Sequence, residues 1–149
     1  MITLEDVNNK IEILLVEDNP ADARLIAEVL DKLKVKIHLA SDGTEAMDYL
    51  NKKGEYKDST YPSLILLDLN LPKKDGRDIL KEIKQNEKLK KIPVIILTTS
   101  CDYNDIKGSY CNYASAYLTK PTDLNDFMGL IKSFENFWFK WATLPESVD

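Results

Sequence analysis

Glycine, cysteine and histidine are scarce in this chain of 149 residues, which holds five, two and one of them. The five glycines are scattered, so neither a phosphate-cradling P-loop nor a dinucleotide-binding glycine fingerprint is present. Cys101 and Cys111 lack metal-type spacing and His38 stands alone, which disfavours a disulfide or zinc role and leaves both cysteines expected as ordinary reduced thiols. No apolar run approaches the ~20 residues that span a bilayer, and the N-terminus has no basic stretch leading into an apolar one. Positive charge is in deficit as well. A net charge of −5 disfavours nucleic acid or an anionic membrane as the main partner, so the expectation is a cytoplasmic protein with soluble protein partners.

What the chain does have is regular alternation. Five apolar runs, at residues 11–16, 35–40, 64–67, 94–97 and 116–118, are each followed by a segment with helical periodicity. Strands alternating with helices predict one five-stranded parallel sheet, doubly wound by five helices, with its last helix extended. Asn19-Pro20 starts the first helix, whose apolar stripe is Leu25, Ile26, Val29, Leu30 and Leu33. Asp42 with Glu45 reads as a capping box for the second, and Asp75-Gly76 opens the third, with Ile79, Leu80 and Ile83 inward. Asp102 opens a fourth that contains Gly108 and little apolar surface, so it is expected to be the least stable and the part that moves. Thr122 is expected to cap the fifth, which runs to about Trp141, and residues 52–62 form a polar irregular connection. Residues 11–135 are expected to form the domain, with an N-terminal extension over 1–10 and an aromatic C-terminal extension over 136–149. The segment 73–91 carries eight basic and four acidic residues and reads as a solvated helix face.

Carboxylates close two of the apolar runs. Glu17-Asp18 follows the first and Asp68 follows Leu64-Ile65-Leu66-Leu67. In an open parallel sheet, the carboxyl ends of neighbouring strands share a crevice, so these acids are expected to meet there. At about 4 Å two like charges repel by roughly 4 kcal/mol at an effective dielectric of 20. The cluster must therefore keep protons or recruit a hard, oxygen-seeking cation such as Mg²⁺. Lys120, leaving the fifth strand, brings a positive point charge to the same edge, and Thr98 brings a hydroxyl donor.

Val16-Glu17-Asp18, Leu67-Asp68-Leu69-Asn70-Leu71-Pro72-Lys73-Lys74-Asp75-Gly76, Leu97-Thr98-Thr99 and Tyr117-Leu118-Thr119-Lys120-Pro121 each end a different strand. In these segments the chain resembles the receiver domain of two-component response regulators over nearly all of its length. The resemblance implies the flavodoxin-like receiver fold, Asp68 as phosphoacceptor, and Mg²⁺ bound by Asp18 and Asp68 directly, by Glu17 mainly through water, and by the Asn70 carbonyl. It further implies catalytic roles for Thr98 and Lys120, a cis peptide before Pro121, and Thr98 and Tyr117 as the residues that shift when Asp68 is phosphorylated. The partner would be a sensor histidine kinase, and the closest family resemblance is to the stand-alone regulators of phytochrome-type kinases. Beyond taking up and slowly releasing its own phosphoryl group, such a protein is no enzyme.

With no effector domain expected to follow, output must leave through a surface. All four Phe and both Trp lie between residues 127 and 141, and one helix at a sheet edge cannot bury them all. Phe127, Phe134, Phe137, Trp138 and Trp141 are accordingly expected at an interface, in a homodimer built from the fourth helix, fifth strand and fifth helix. Two other readings compete. A small Mg²⁺-dependent aspartyl phosphohydrolase would need a second acid two residues after its nucleophile, where this chain has Asn70. A receiver-like scaffold that is never phosphorylated would not need every reactive position filled.

Overall fold

The computed structural model describes residues 11–32 and 35–145. The extension expected over residues 1–10, Leu33 of the first helix and the tail beyond residue 145 lie outside them. Five strands, β1 (Glu12–Val16), β2 (Lys36–Ala40), β3 (Leu64–Leu67), β4 (Val94–Thr98) and β5 (Ala116–Thr119), form one sheet in the order β2-β1-β3-β4-β5. Every neighbouring pair is parallel. The helices are α1 (Pro20–Asp31), α2 (Gly43–Leu50), α3 (Gly76–Gln85), α4 (Tyr103–Cys111) and α5 (Leu124–Asn136), which is the doubly wound architecture the alternation predicts.

Successive strand residues point to opposite faces of a sheet. Leu14, Val16, Ile65, Leu67, Val94 and Ile96 pack against α2 and α3, whereas Ile13, Leu15, Leu64, Leu66, Ile95 and Leu97 pack against α1 and α5. Both faces are covered, which is why β3 and β4 read as unbroken apolar runs instead of alternating ones.

Local chemistry sets the helix starts. The Asn19 side chain accepts from Ala21 N and Asp22 N, with Pro20 in the first turn, and Asp75 and Asp102 cap α3 and α4. Asp42 accepts from Glu45 N at 2.8 Å, but the Glu45 carboxylate returns to Ser41 N, one residue earlier than a capping box requires. The cap of α5 is Asp123, not Thr122, because its carboxylate accepts from Asp126 N. The regular helix also ends earlier than its aromatic content suggests. After Asn136 comes a wide π turn, Phe137–Trp141, closed by Ala142 N donating to Phe137 O at 2.7 Å. Within the 52–62 connection there is one short 3₁₀ turn, Gly54–Tyr56.

Two glycines let the loops close over the sheet edge. A Cβ on Gly76 would collide with the Asp68 carbonyl oxygen and the Leu69 backbone, and one on Gly43 would collide with the Lys74 carbonyl. The basic segment after β3 is internally paired, through Lys74 with Glu82, Lys90 with Glu87 and Arg77 with Asp75. His38 lies in β2 stacked on Tyr49 with ring centroids 4.0 Å apart, and Cys101 and Cys111 are separate exposed thiols.

Candidate functional site

The winding reverses between β1 and β3, because the chain first runs outward to β2 and then returns on the other side of β1. A crevice opens at such a point above the carboxyl ends of the two strands. Backbone hydrogen bonds extend the ladder just past the strands. Asp68 N donates to Val16 O at 3.0 Å, Glu17 N to Ala40 O at 3.0 Å and Lys120 N to Thr98 O at 2.7 Å. The residues expected to carry chemistry are thus held at the same level by the sheet itself.

Carboxylate oxygens of Glu17, Asp18 and Asp68 lie within 4.8 Å of one another. Glu17 and Asp68 are buried and Asp18 is exposed. The Lys120 ammonium sits among the acids, 2.7 Å from Glu17 Oε2, 3.0 Å from Asp22 Oδ2 and 3.1 Å from Asp68 Oδ2. Burial acts against the charged lysine, but its hydrogen bond to Glu17 and the charges of Glu17 and Asp68 outweigh this and raise its pKa further. Burial likewise pushes the Glu17 carboxyl up to about 7, with the Asp68 charge adding to it and Lys120 and the Asn19 amide opposing. One ammonium does not balance four carboxylates. Hard oxygen donors with that excess of negative charge fit a divalent cation, with Glu17, Asp18 and Asp68 as its side-chain ligands.

The remaining predicted residues surround this cluster. Asn70 is exposed, and its backbone N–H donates to Asp68 Oδ1 at 3.3 Å. Thr98 is fully buried at the end of β4, where its hydroxyl accepts from Ser100 N at 3.4 Å and makes no hydrogen bond to Asp68. Tyr117 is half-buried and donates its hydroxyl to Ser100 O at 2.8 Å. The Lys120–Pro121 bond is trans, like every described peptide bond, so the cis linkage implied by resemblance is absent.

Three residues, one in the cluster and two beside it, escape the sequence reading. Asp22, in the first turn of α1, shares Lys120 with the acid pair, and a further carboxylate four residues beyond Asp18 was the available signal. Arg77 and Asp105, 28 residues apart, form a bidentate ion pair at 2.7 and 2.8 Å for which no local pattern exists. The aromatic expectation needs correction in part. Phe127 and Phe134 belong to the core between α5, α1 and the sheet, not to an interface, because their side of α5 faces the sheet. Phe137 and Trp141 are exposed, and Trp138 is half-buried against the same core.

Residues 13–132 match the family model described as the response regulator receiver domain. The chain belongs to that family. This receiver is 50% identical over 135 residues to response regulator Rcp1 of Synechocystis sp., covering 89% of this chain and 92% of the relative. It superimposes on the crystal structure of the Mn²⁺-bound form of Rcp1 with a TM-score of 0.89 at 49% identity, covering 91% and 99% of the two chains. The phosphorylated cyanobacterial phytochrome response regulator RcpA gives the same TM-score of 0.89 and the same coverage, 91% and 99%, at 48% identity.

Proposed function

We propose that Asp68 of this receiver accepts a phosphoryl group from the phosphohistidine of a sensor histidine kinase and thereby switches a protein-binding surface in phosphorelay signalling. The observation that carries the reading is the convergence on Asp68 of acids from β1 and the ammonium of Lys120 from β5. Glu17, Asp18 and Asp68, with the Asn70 carbonyl, would hold Mg²⁺, which supplies the positive charge that brings a carboxylate and a phosphoryl group together. An Asp68 oxygen attacks phosphorus, the bond from phosphorus to the kinase imidazole breaks, and an acyl phosphate remains. Lys120, already 3.1 Å from Asp68 Oδ2, pairs with a phosphoryl oxygen. Thr98 then turns its hydroxyl from Ser100 N toward the phosphoryl group, and Tyr117 follows the loop that Ser100 carries. Moving a 1:99 equilibrium to 99:1 takes about 5.5 kcal/mol; the new charge-assisted hydrogen bond from Thr98 supplies roughly 1.5–3 kcal/mol of it, and Lys120, already paired at rest, adds only the difference between its carboxylate and phosphoryl contacts.

The test is uptake from a small acyl or amido phosphate with Mg²⁺, read by mass. One labile phosphoryl group per chain that disappears in Asp68→Asn is the expected result. Sustained turnover would point to a phosphohydrolase, and no uptake to a scaffold; either result overturns the reading.

A phytochrome-type kinase is the proposed partner, supported by the likeness to RcpA, a phytochrome response regulator. The proposed output is a homodimer through α4, β5 and α5, in a cytoplasmic protein that engages neither nucleic acid nor membrane. Tyr103 and Tyr110 on α4, Leu124 on α5, and Phe137 and Trp141 beyond it are large and at least half exposed, which supports an apolar contact on the elements flanking β5. No described helix is long and apolar enough to cross a membrane.

A further inference from the structure

The helix α4 is poorly anchored by apolar contact, since Ser109 is its one buried residue. Polar bonds hold it instead. At its C-terminal end the Tyr110 hydroxyl accepts from Tyr117 N at 3.1 Å. At its N-terminal end Arg77 grips Asp105 with two parallel hydrogen bonds, Nε to Oδ1 at 2.7 Å and Nη2 to Oδ2 at 2.8 Å. Arg77 is itself fixed to its own helix cap, with Nη1 at 3.0 Å from Asp75 Oδ1. That cap belongs to α3, whose Gly76 packs directly on the Asp68 backbone, so the Arg77 end of the pair is anchored beside the phosphoacceptor.

The Asp105 end is tied to the parts that must move. Its Oδ2 accepts from the Ser100 hydroxyl at 2.6 Å, while the Ser100 carbonyl accepts from Tyr117 and the Ser100 amide faces Thr98. Thr98 cannot turn toward Asp68 without disturbing Ser100, and Ser100 cannot shift without pulling on Asp105. We propose that Arg77 is a positioning residue: its pairing with Asp105 latches α4 and the 99–102 loop in the unphosphorylated arrangement, and release of this pair carries phosphorylation from Thr98 to Tyr117 and the α4 surface. The inference rests on the reading of Asp68 as phosphoacceptor. It adds that the resting state is stabilised by a specific ion pair outside the reaction site, so weakening that pair favours the switched state before any phosphoryl group arrives.

The full chain is titrated with beryllofluoride and Mg²⁺ as the phosphoryl mimic, reading the backbone amides of residues 99–102 and 117 by NMR. Arg77→Ala and Asp105→Asn are expected to bind the mimic about fivefold or more tightly than the parent chain, the low end of ordinary coupling between two sites. Without the mimic, their loop amides should lie displaced along the line joining the parent's free and bound positions. The double variant should behave like either single one, because the two changes remove the same interaction. Arg77→Lys, which keeps one ion pair but not the fork, should fall between, and Ser100→Ala should shift the same way more weakly. Unchanged or weaker mimic binding, or loop amides at parental positions, in Arg77→Lys and Asp105→Asn overturns the latch. A parent chain that shows no response, or one that Asp68→Asn fails to abolish, overturns the phosphoacceptor reading instead, and the latch with it.

Discussion

At the scale of single residues, the site is a problem of placing unlike charges. Asp105 makes this measurable. The hydrogen bonds from Arg77, and then the one from Ser100, hold its carboxyl at about 2, below the ordinary aspartate value of about 3.9. A depressed carboxyl stabilises the fold fully above the unfolded value and loses that contribution as pH falls through the folded one. In a carbon-detected NMR titration Asp105 should therefore stay ionised below pH 3, and in Arg77→Ala its midpoint should climb back toward 3.9. Thr98→Ala is expected to keep phosphoryl uptake, though without the hydroxyl that donates to the phosphoryl group, while the amides around Ser100 and Tyr117 no longer respond; a full response in that variant would remove Thr98 from the switch. Gly76→Ala forces a methyl group into the Asp68 backbone and should cost about 1–3 kcal/mol in urea unfolding. At this scale the sequence was informative where a residue ends a strand, as with Glu17, Asp68, Thr98 and Lys120. It was silent about Arg77 and Asp105, whose partnership depends on how α3 and α4 lie side by side.

At the scale of elements, the last helix shows where periodicity stops being a guide. A strict 3.6-residue stripe from Phe127 through Ile131 and Phe134 continues to Trp138 and Trp141. The π turn inserts an extra residue into that count, so Phe139 becomes buried and meets Phe134 edge-on at 5.8 Å, while Trp141 swings into solvent. Nothing in the residue types between 134 and 141 announces a widened turn, because aromatic side chains suit either arrangement. Phe139→Ala should lower stability by about 3–5 kcal/mol, whereas Phe137→Ala should stay within about 0.5 kcal/mol. Equal effects in thermal or urea unfolding would contradict the widened turn. The thin apolar face of α4 was, by contrast, plain in its sequence, since Gly108 and a polar first turn leave little to bury. Hydrogen exchange should accordingly open α4 well before α1 or α3.

At the scale of the whole molecule, strand content and the two-faced core were legible because a sheet covered on both sides demands apolar runs, and the chain has five. Strand order was not, because alternation is equally compatible with other doubly wound orders; β2-β1-β3-β4-β5, with its switch point between β1 and β3, agrees with the flavodoxin-like fold that the receiver resemblance implied. What the pattern could not supply was how the last aromatic residues divide between core and surface. Sedimentation with and without phosphoryl donor tests the proposed output: dimer on phosphorylation is expected, and Trp141→Ser should weaken it. A monomer at every concentration in both states would discard it. The ammonium of Lys120 comes from the end of β5 and reaches an acid that leaves β1, with two strands between them in the sheet. A nascent chain still on the ribosome, with β5 not yet made, would carry its acidic cluster without the lysine that offsets it.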